Sequence, residues 1–119
     1  MFGIWYTYSL LVKVADKNFI DISDDSIARV AVDYYSKHGP DRHYARSLYY
    51  LGVAYYYQGA YDKAILEFTK AEEIAKGCDS LYWGMTKSAQ AGAYSATYND
   101  IETYNCLLKA YEIYESLSD

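Results

Sequence analysis

A single proline and seven glycines in 119 residues leave little room for a proline-rich linker or for the many turns of a β-sandwich. Basic charge is also scarce. Lys and Arg number 11 against 16 Asp and Glu, the formal net charge is -5, and no run of basic residues appears. A protein that grips phosphate backbones needs a basic face, so nucleic acid is not expected as a direct partner. The two cysteines, Cys78 and Cys106, stand 28 residues apart, a spacing that fits no zinc or CxxC pattern, and they are expected as buried or half-buried free thiols. The two histidines, His38 and His43, flank Gly39-Pro40 with no acidic or nucleophilic partner at a meaningful spacing and are expected at the surface. Residues Asp21 to Ser26 look like the start of a calcium loop. Ser26 stands where the loop needs glycine and Val32 where it needs glutamate, so helix capping explains them better. GxGxxG, P-loop, GxSxG and HExxH patterns are missing. The expectation is therefore a non-enzymatic chain with no catalytic residues, no metal and no cofactor. The apolar stretch from Phe2 to Val12 falls well short of the roughly 20 residues of a membrane span. It also lacks the basic start and the small-residue cleavage site of a signal peptide. A helix of a soluble core is expected there, with no membrane contact in this segment.

What is present is a globular composition, 52% hydrophobic and 23% charged, sized for a single domain over 1–119. Tyrosine stands out with 17 copies. It is rigid and amphipathic, and it serves equally in a helix interface and on a wet binding surface.

The chain centres on Arg46 to Lys76. Two runs of helical periodicity meet there at Gln58-Gly59-Ala60. Small residues at Gly52, Ala64 and Ala71 alternate with Leu48, Leu51, Tyr55, Tyr61 and Phe68, as two closely packed antiparallel helices require. Gly52 and Ala64 are expected as the points of closest approach, with Ala71 against the following helix.

Start and stop signals extend the pattern in both directions. A helix is expected from Gly3 to Asp16, followed by a connector to Ser23. The next starts at Ser23-Asp24-Asp25-Ser26, presents Ile27, Val30 or Ala31, and Tyr34 or Tyr35 as its apolar face, and stops at His38-Gly39-Pro40. Asp41 can cap the third helix and Asp79 or Ser80 the fifth, Gly77 is expected to end the fourth, and Asn99-Asp100 turns the chain into the last. Lys63 with Glu67, and Glu72 with Lys76, are spaced for exposed ion pairs. The fold class is all-α, with three helical hairpins at about 3–38, 42–76 and 80–117.

The hairpins repeat one another. An offset of 39 carries Gly52, Tyr55, Ala64, Phe68 and Ala71 onto Ala91, Tyr94, Thr103, Leu107 and Ala110. An offset of 36 in the other direction carries Ala64, Phe68 and Ala71 onto Ala28, Val32 and Tyr35. The middle copy resembles the tetratricopeptide repeat family. Leu48, Leu51, Gly52, Tyr55, Gly59, Tyr61, Ala64, Phe68 and Ala71 fall at its signature positions, with Leu48 in place of the usual tryptophan and Lys76 in place of the final proline. The third copy departs at Gln90 and Thr103, where leucine and alanine are usual, and the first copy's opening helix fits poorly.

That resemblance implies a short right-handed α-α superhelix whose concave groove binds a peptide or partner protein. On the middle copy the groove positions are Arg46, Tyr49, Tyr50, Val53, Tyr56 and Tyr57. Tyr49 and Val53 stand where the family's clamp for a terminal carboxylate needs lysine and asparagine, so that mode is not expected. The third copy offers Met85, Ser88, Ala89, Gly92, Ser95 and Ala96 on the same face. YYSKHGPD followed by ARSLYYLGVAYYYQGAYDKAI also resembles bacterial tetratricopeptide proteins in which such a region precedes a membrane helix and a regulatory domain. By that resemblance the chain is a segment of a larger bacterial regulatory or scaffold protein, on the cytoplasmic or periplasmic side. An alternative use is self-association. Leu107, Leu108, Tyr111, Tyr114 and Leu117 exceed what one neighbouring helix can bury, and a homodimer could cover them.

Overall fold

The computed structural model describes residues 23–118. The expected first helix over 3–16 and the connector up to residue 22 lie outside the described residues, as do Asp21 and Ile22 of the calcium-like run. Five α-helices follow: α1 Ser26–His38, α2 Asp41–Tyr57, α3 Tyr61–Cys78, α4 Ser80–Ala96 and α5 Asp100–Leu117. No strand occurs among the described residues. Each helix packs against the next in chain order, and α2 also lies beside α4.

The helix starts follow from side-chain chemistry. Asp24 accepts from the backbone N–H of Ser26 at 3.0 Å and from its hydroxyl at 2.6 Å, and these bonds hold its carboxyl below the usual range. Asp79 caps α4 by accepting from the Tyr82 N–H at 3.2 Å, and Asn99 caps α5 by accepting from Glu102 at 3.3 Å. Two expectations shift by a residue. Pro40, not Asp41, takes the N-cap position of α2, which leaves Asp41 in the first turn, where its charge favours the helix dipole. Helix α3 continues through Gly77 to Cys78, so that glycine does not end it and Cys78 is exposed. Gly39 ends α1 at φ 62, returning its N–H to the Tyr35 carbonyl at 2.9 Å.

The repeat is visible in the boundaries themselves. Helices α2 and α3 start at 41 and 61 and end at 57 and 78; α4 and α5 start at 80 and 100 and end at 96 and 117, each displaced by 39. The turns also match. Ala60 donates to the Tyr55 carbonyl at 2.9 Å and Asn99 to the Tyr94 carbonyl at 2.9 Å, the long backbone bond that closes a helix end around one left-handed residue. In the first turn that residue is Gly59 at φ 80; in the second it is Tyr98 at φ 61, 91% exposed. A side chain there carries a penalty that glycine avoids.

Packing bears out one expectation and corrects the sequence picture in two places. Gly52 is a point of close approach within the hairpin, and its neighbour there is Phe68: a Cβ on Gly52 would stand 2.5 Å from the ring. The buried face of α1 is Ala28, Ala31 and Tyr35, leaving Ile27 and Val30 exposed. Neither expected exposed ion pair forms. Glu67 meets Lys70 at 3.4 Å, Lys76 meets Glu73 at 2.9 Å, and Glu72 turns to Lys87 of α4 at 3.2 Å. Lys63 instead lies over the Tyr55 ring, 5.6 Å from its centre. Gln90, where the repeat usually has leucine, donates to Glu72 at 2.9 Å and accepts from the Cys106 thiol at 3.5 Å. This polar seam joins α3, α4 and α5, and burial pushes the Cys106 thiol up.

Two glycine contacts give opposite expectations. Phe68 is 1% exposed and has nowhere to go, whereas Tyr114, 2.6 Å from a Cβ on Gly84, is 38% exposed and can swing out. Gly52→Ala is expected to destabilise by about 1–3 kcal/mol through overpacking. Gly84→Ala is expected to be neutral or stabilising by up to about 1 kcal/mol, the helix preference of alanine. Urea unfolding of the two variants measures this, and equal shifts would refute the assigned packing. Tyr98→Gly is expected to stabilise by about 1 kcal/mol, read from the thermal midpoint.

Candidate functional site

One stripe of α2 is left open by the packing of its own hairpin. Ala45, Leu48, Leu51, Gly52 and Ala54 are buried, while Arg46, Tyr49, Tyr50, Val53 and Tyr56 are half-buried and Tyr57 is exposed. On α4 the matching positions Met85, Ala89, Gly92 and Ala96 are half-buried, and Ser88 and Ser95 are exposed. The seam between the helices is bridged by Tyr56, whose ring lies 3.7 Å from the position of a Cβ on Gly92.

Tyrosines gather on this face in two groups. Tyr49 sits edge-to-face with Tyr50 at 5.2 Å and with Tyr82 of α4 at 5.6 Å between ring centres, and the Tyr50 and Tyr82 hydroxyls share a 2.8 Å hydrogen bond. Tyr56 sits edge-to-face with Tyr57 at 5.5 Å and with Tyr61 of α3 at 5.4 Å. Burial, followed by the neighbouring Tyr50, pushes Tyr49 from 10.0 up to about 12. Tyr82 is also pushed up, by burial and then by its bond to Tyr50. Beyond Tyr61, a shallow cavity of about 340 Å³ opens among Gly59, Lys63 and Thr97.

Arg46 has an internal partner. Its Nε and its guanidinium NH2 each meet the Asp79 carboxylate at 2.9 Å, and the same guanidinium lies over Tyr82, 4.6 Å from the ring centre. Arg42 adds a longer contact to Asp79 at 3.9 Å. Asp79 therefore caps α4 and ties it to α2 with one side chain. Sequence reasoning found Asp79 as a cap but missed its ion pair, and missed Tyr82 and Tyr61 in the aromatic groups. The available signal was the repeat: side-by-side helices align their first turns, so the cap of α4 must meet the start of α2.

The remaining candidates fall elsewhere. Leu107, Leu108, Tyr111, Tyr114 and Leu117 lie exposed along α5, together with Ile101 and Tyr104, and the Tyr114 ring packs on Gly84 of α4. His38 is exposed against Tyr34, with ring centres 4.6 Å apart. His43, expected at the surface, is half-buried and stacked on Tyr35 at 5.3 Å, and burial, then Arg46 and Arg42, hold its pKa below the usual value. Among the described residues, no cluster of three or more His, Cys, Asp or Glu could hold a metal ion, and no helix is long and apolar enough to cross a membrane.

Antiparallel helical hairpins repeated at a fixed offset, with one helix of each lining a common face, define a helical-repeat protein. Residues 45–78, which span nearly all of α2 and α3, match the tetratricopeptide repeat, so the middle hairpin is a repeat of that family. Repeats of this kind generally mediate protein–protein interactions. No curated protein and no solved structure matches the chain.

Two measurements probe this face. Asp79→Ala removes a cap, worth about 1 kcal/mol, and hydrogen bonds to a charged group, worth about 1.5–3 kcal/mol. A loss of about 2–4 kcal/mol is expected, and Asp79→Asn should retain part of it. The folded state binds the Tyr49 proton more tightly than the unfolded chain does. Its contribution is whole below pH 10 and lost as the pH rises through about 12. Alkaline unfolding followed by phenolate absorbance is expected to move to higher pH in Tyr49→Phe, whereas an unchanged profile would remove Tyr49 from this role.

Proposed function

We propose that the face formed by α2 and α4 binds an extended segment of a partner protein, so that the chain acts as a non-enzymatic interaction module. The observation that carries this reading is the row of tyrosines on α2, which its own hairpin leaves open, beside a row of small residues on α4. Tyrosine offers large, rigid contact area with a polar tip and is common among the residues that dominate binding energy. The tetratricopeptide match over 45–78 supports the reading, because such repeats generally serve as interaction surfaces.

Within this reading the residues divide by role. Tyr57, Tyr56 and Val53 offer contact surface at one end, and at the other Tyr49 and Tyr50 offer their open edges while pairing with Tyr82, which holds their rings in place. Arg46 fixes α2 to α4 through Asp79 and is a positioning residue more than a ligand contact.

A second reading is favoured by a separate observation. Ile101, Tyr104, Leu107, Leu108 and Tyr111 leave one side of α5 apolar and open, and two copies of the chain could cover it against each other.

Selection of binders from a random peptide library tests the first reading. Enriched peptides are expected to lose binding to a Tyr50→Ala, Tyr57→Ala double variant whose melting curve confirms folding. Unchanged recovery on that variant would reject the face. Light scattering over a concentration series tests the second: a strict monomer at the highest concentration rejects the homodimer.

A further inference from the structure

Accepting that the α2–α4 face binds peptide, we infer that its ligand is a proline-rich segment in the polyproline II conformation. The spacing of the two tyrosine groups carries this. Tyr49 and Tyr50 recur as Tyr56 and Tyr57 seven residues later on the same helix, which places the two groups about 10.5 Å apart at about 1.5 Å per residue. A polyproline II chain advances about 9.3 Å per turn of three residues, so side chains at i and i+3 of such a ligand meet successive groups. Proline rings then lie flat against tyrosine rings, in a register set by α2.

The chemistry of the face fits the same ligand. Although the chain as a whole is acidic, Arg46 on this face is neutralised by Asp79, and Val53, Met85, Ala89 and Gly92 bring no charge. A strongly acidic or basic peptide would lose its hydration here without gaining a counter-charge. A polyproline II segment has no internal hydrogen bonds and few N–H donors, so what it asks of a surface is donors for its carbonyls. Tyrosine hydroxyls, above all that of exposed Tyr57, are such donors. At Gly92 the Tyr56 ring already covers the backbone of α4, standing 3.7 Å from the Cβ position, so a ligand meets an aromatic ring there. A ligand already in its bound conformation also loses little entropy on docking, which lets a small aromatic surface hold it.

Calorimetric titration with decaproline tests the inference, with a Gly-Ser decamer as control. Saturable binding with Kd below about 1 mM is expected for decaproline and none for the control. Tyr57→Ala is expected to weaken decaproline about ten-fold, and Tyr57→Phe, which keeps the ring, by no more than about three-fold. Tyr111→Ala on α5 should leave binding unchanged, and melting curves confirm that each variant is folded. A peptide with prolines at i and i+3 is expected to bind more tightly than one with the same prolines at i and i+4. No binding of decaproline, equal binding of the Gly-Ser peptide, or indifference to Tyr57→Ala overturns the inference. Proline-free peptides that bind wild type and fail on the Tyr50→Ala, Tyr57→Ala variant overturn the ligand class and leave the peptide-binding face standing.

Discussion

The contact between Gly52 and Phe68 governs the rest of the architecture. A glycine with no side chain lets the buried ring of α3 press against the backbone of α2, at a separation that no other residue permits. Ala64, Ala71 and Ala75, all inaccessible to solvent, continue the close seam along α3. The same ring supports the open face from beneath, since Tyr49 lies 5.9 Å from it between ring centres. Core packing and the candidate binding surface thus share one residue. A ring displaced by overpacking at Gly52 would tilt the tyrosines as well as loosen the hairpin.

Polar groups settle how the hairpins stack. Burying apolar surface drives helices together but leaves their rotation and register open. Asp79 fixes one end, because a single carboxylate satisfies both the first turn of α4 and the guanidinium of α2. Glu72, Lys87, Gln90 and Cys106 fix the middle across three helices. Gln90 breaks the usual apolar pattern of the repeat. It does so with a partner for its amide nitrogen and another for its oxygen, so the buried amide is satisfied.

The third hairpin keeps the backbone of the second while exchanging its side chains. Every helix boundary is displaced by 39 residues and the turn bonds are the same, yet Tyr98 stands where Gly59 does and α5 is apolar on its open side where α3 is covered by α4. Chain geometry in such repeats is set by a few small residues and turn bonds, which leaves most other positions free to vary in their contacts.

Much of this was legible from the order of residues alone. Helix positions from Ser23 onward, the turns at Gly39, Gly59 and Asn99 and the cap at Asp79 follow from local periodicity and capping chemistry, which act within a few residues, whereas the stripe from Arg46 to Tyr57 came from the resemblance to the repeat family. The pairing of charges did not. Local spacing offered Lys63 to Glu67 and Glu72 to Lys76, but exposed pairs on one helix are weak, and Glu72 and Arg46 found stronger partners on a neighbouring helix. Nor could periodicity choose between Val30 and Ala31 or between Tyr34 and Tyr35, because residues three and four positions on from a buried one lie about equally close to its face, and only packing against α2 fixes the rotation. The sequence by itself determined the elements and the repeat. Only the tertiary structure decided which side chains meet, because that depends on helix rotation and register, and these are set by long-range contacts.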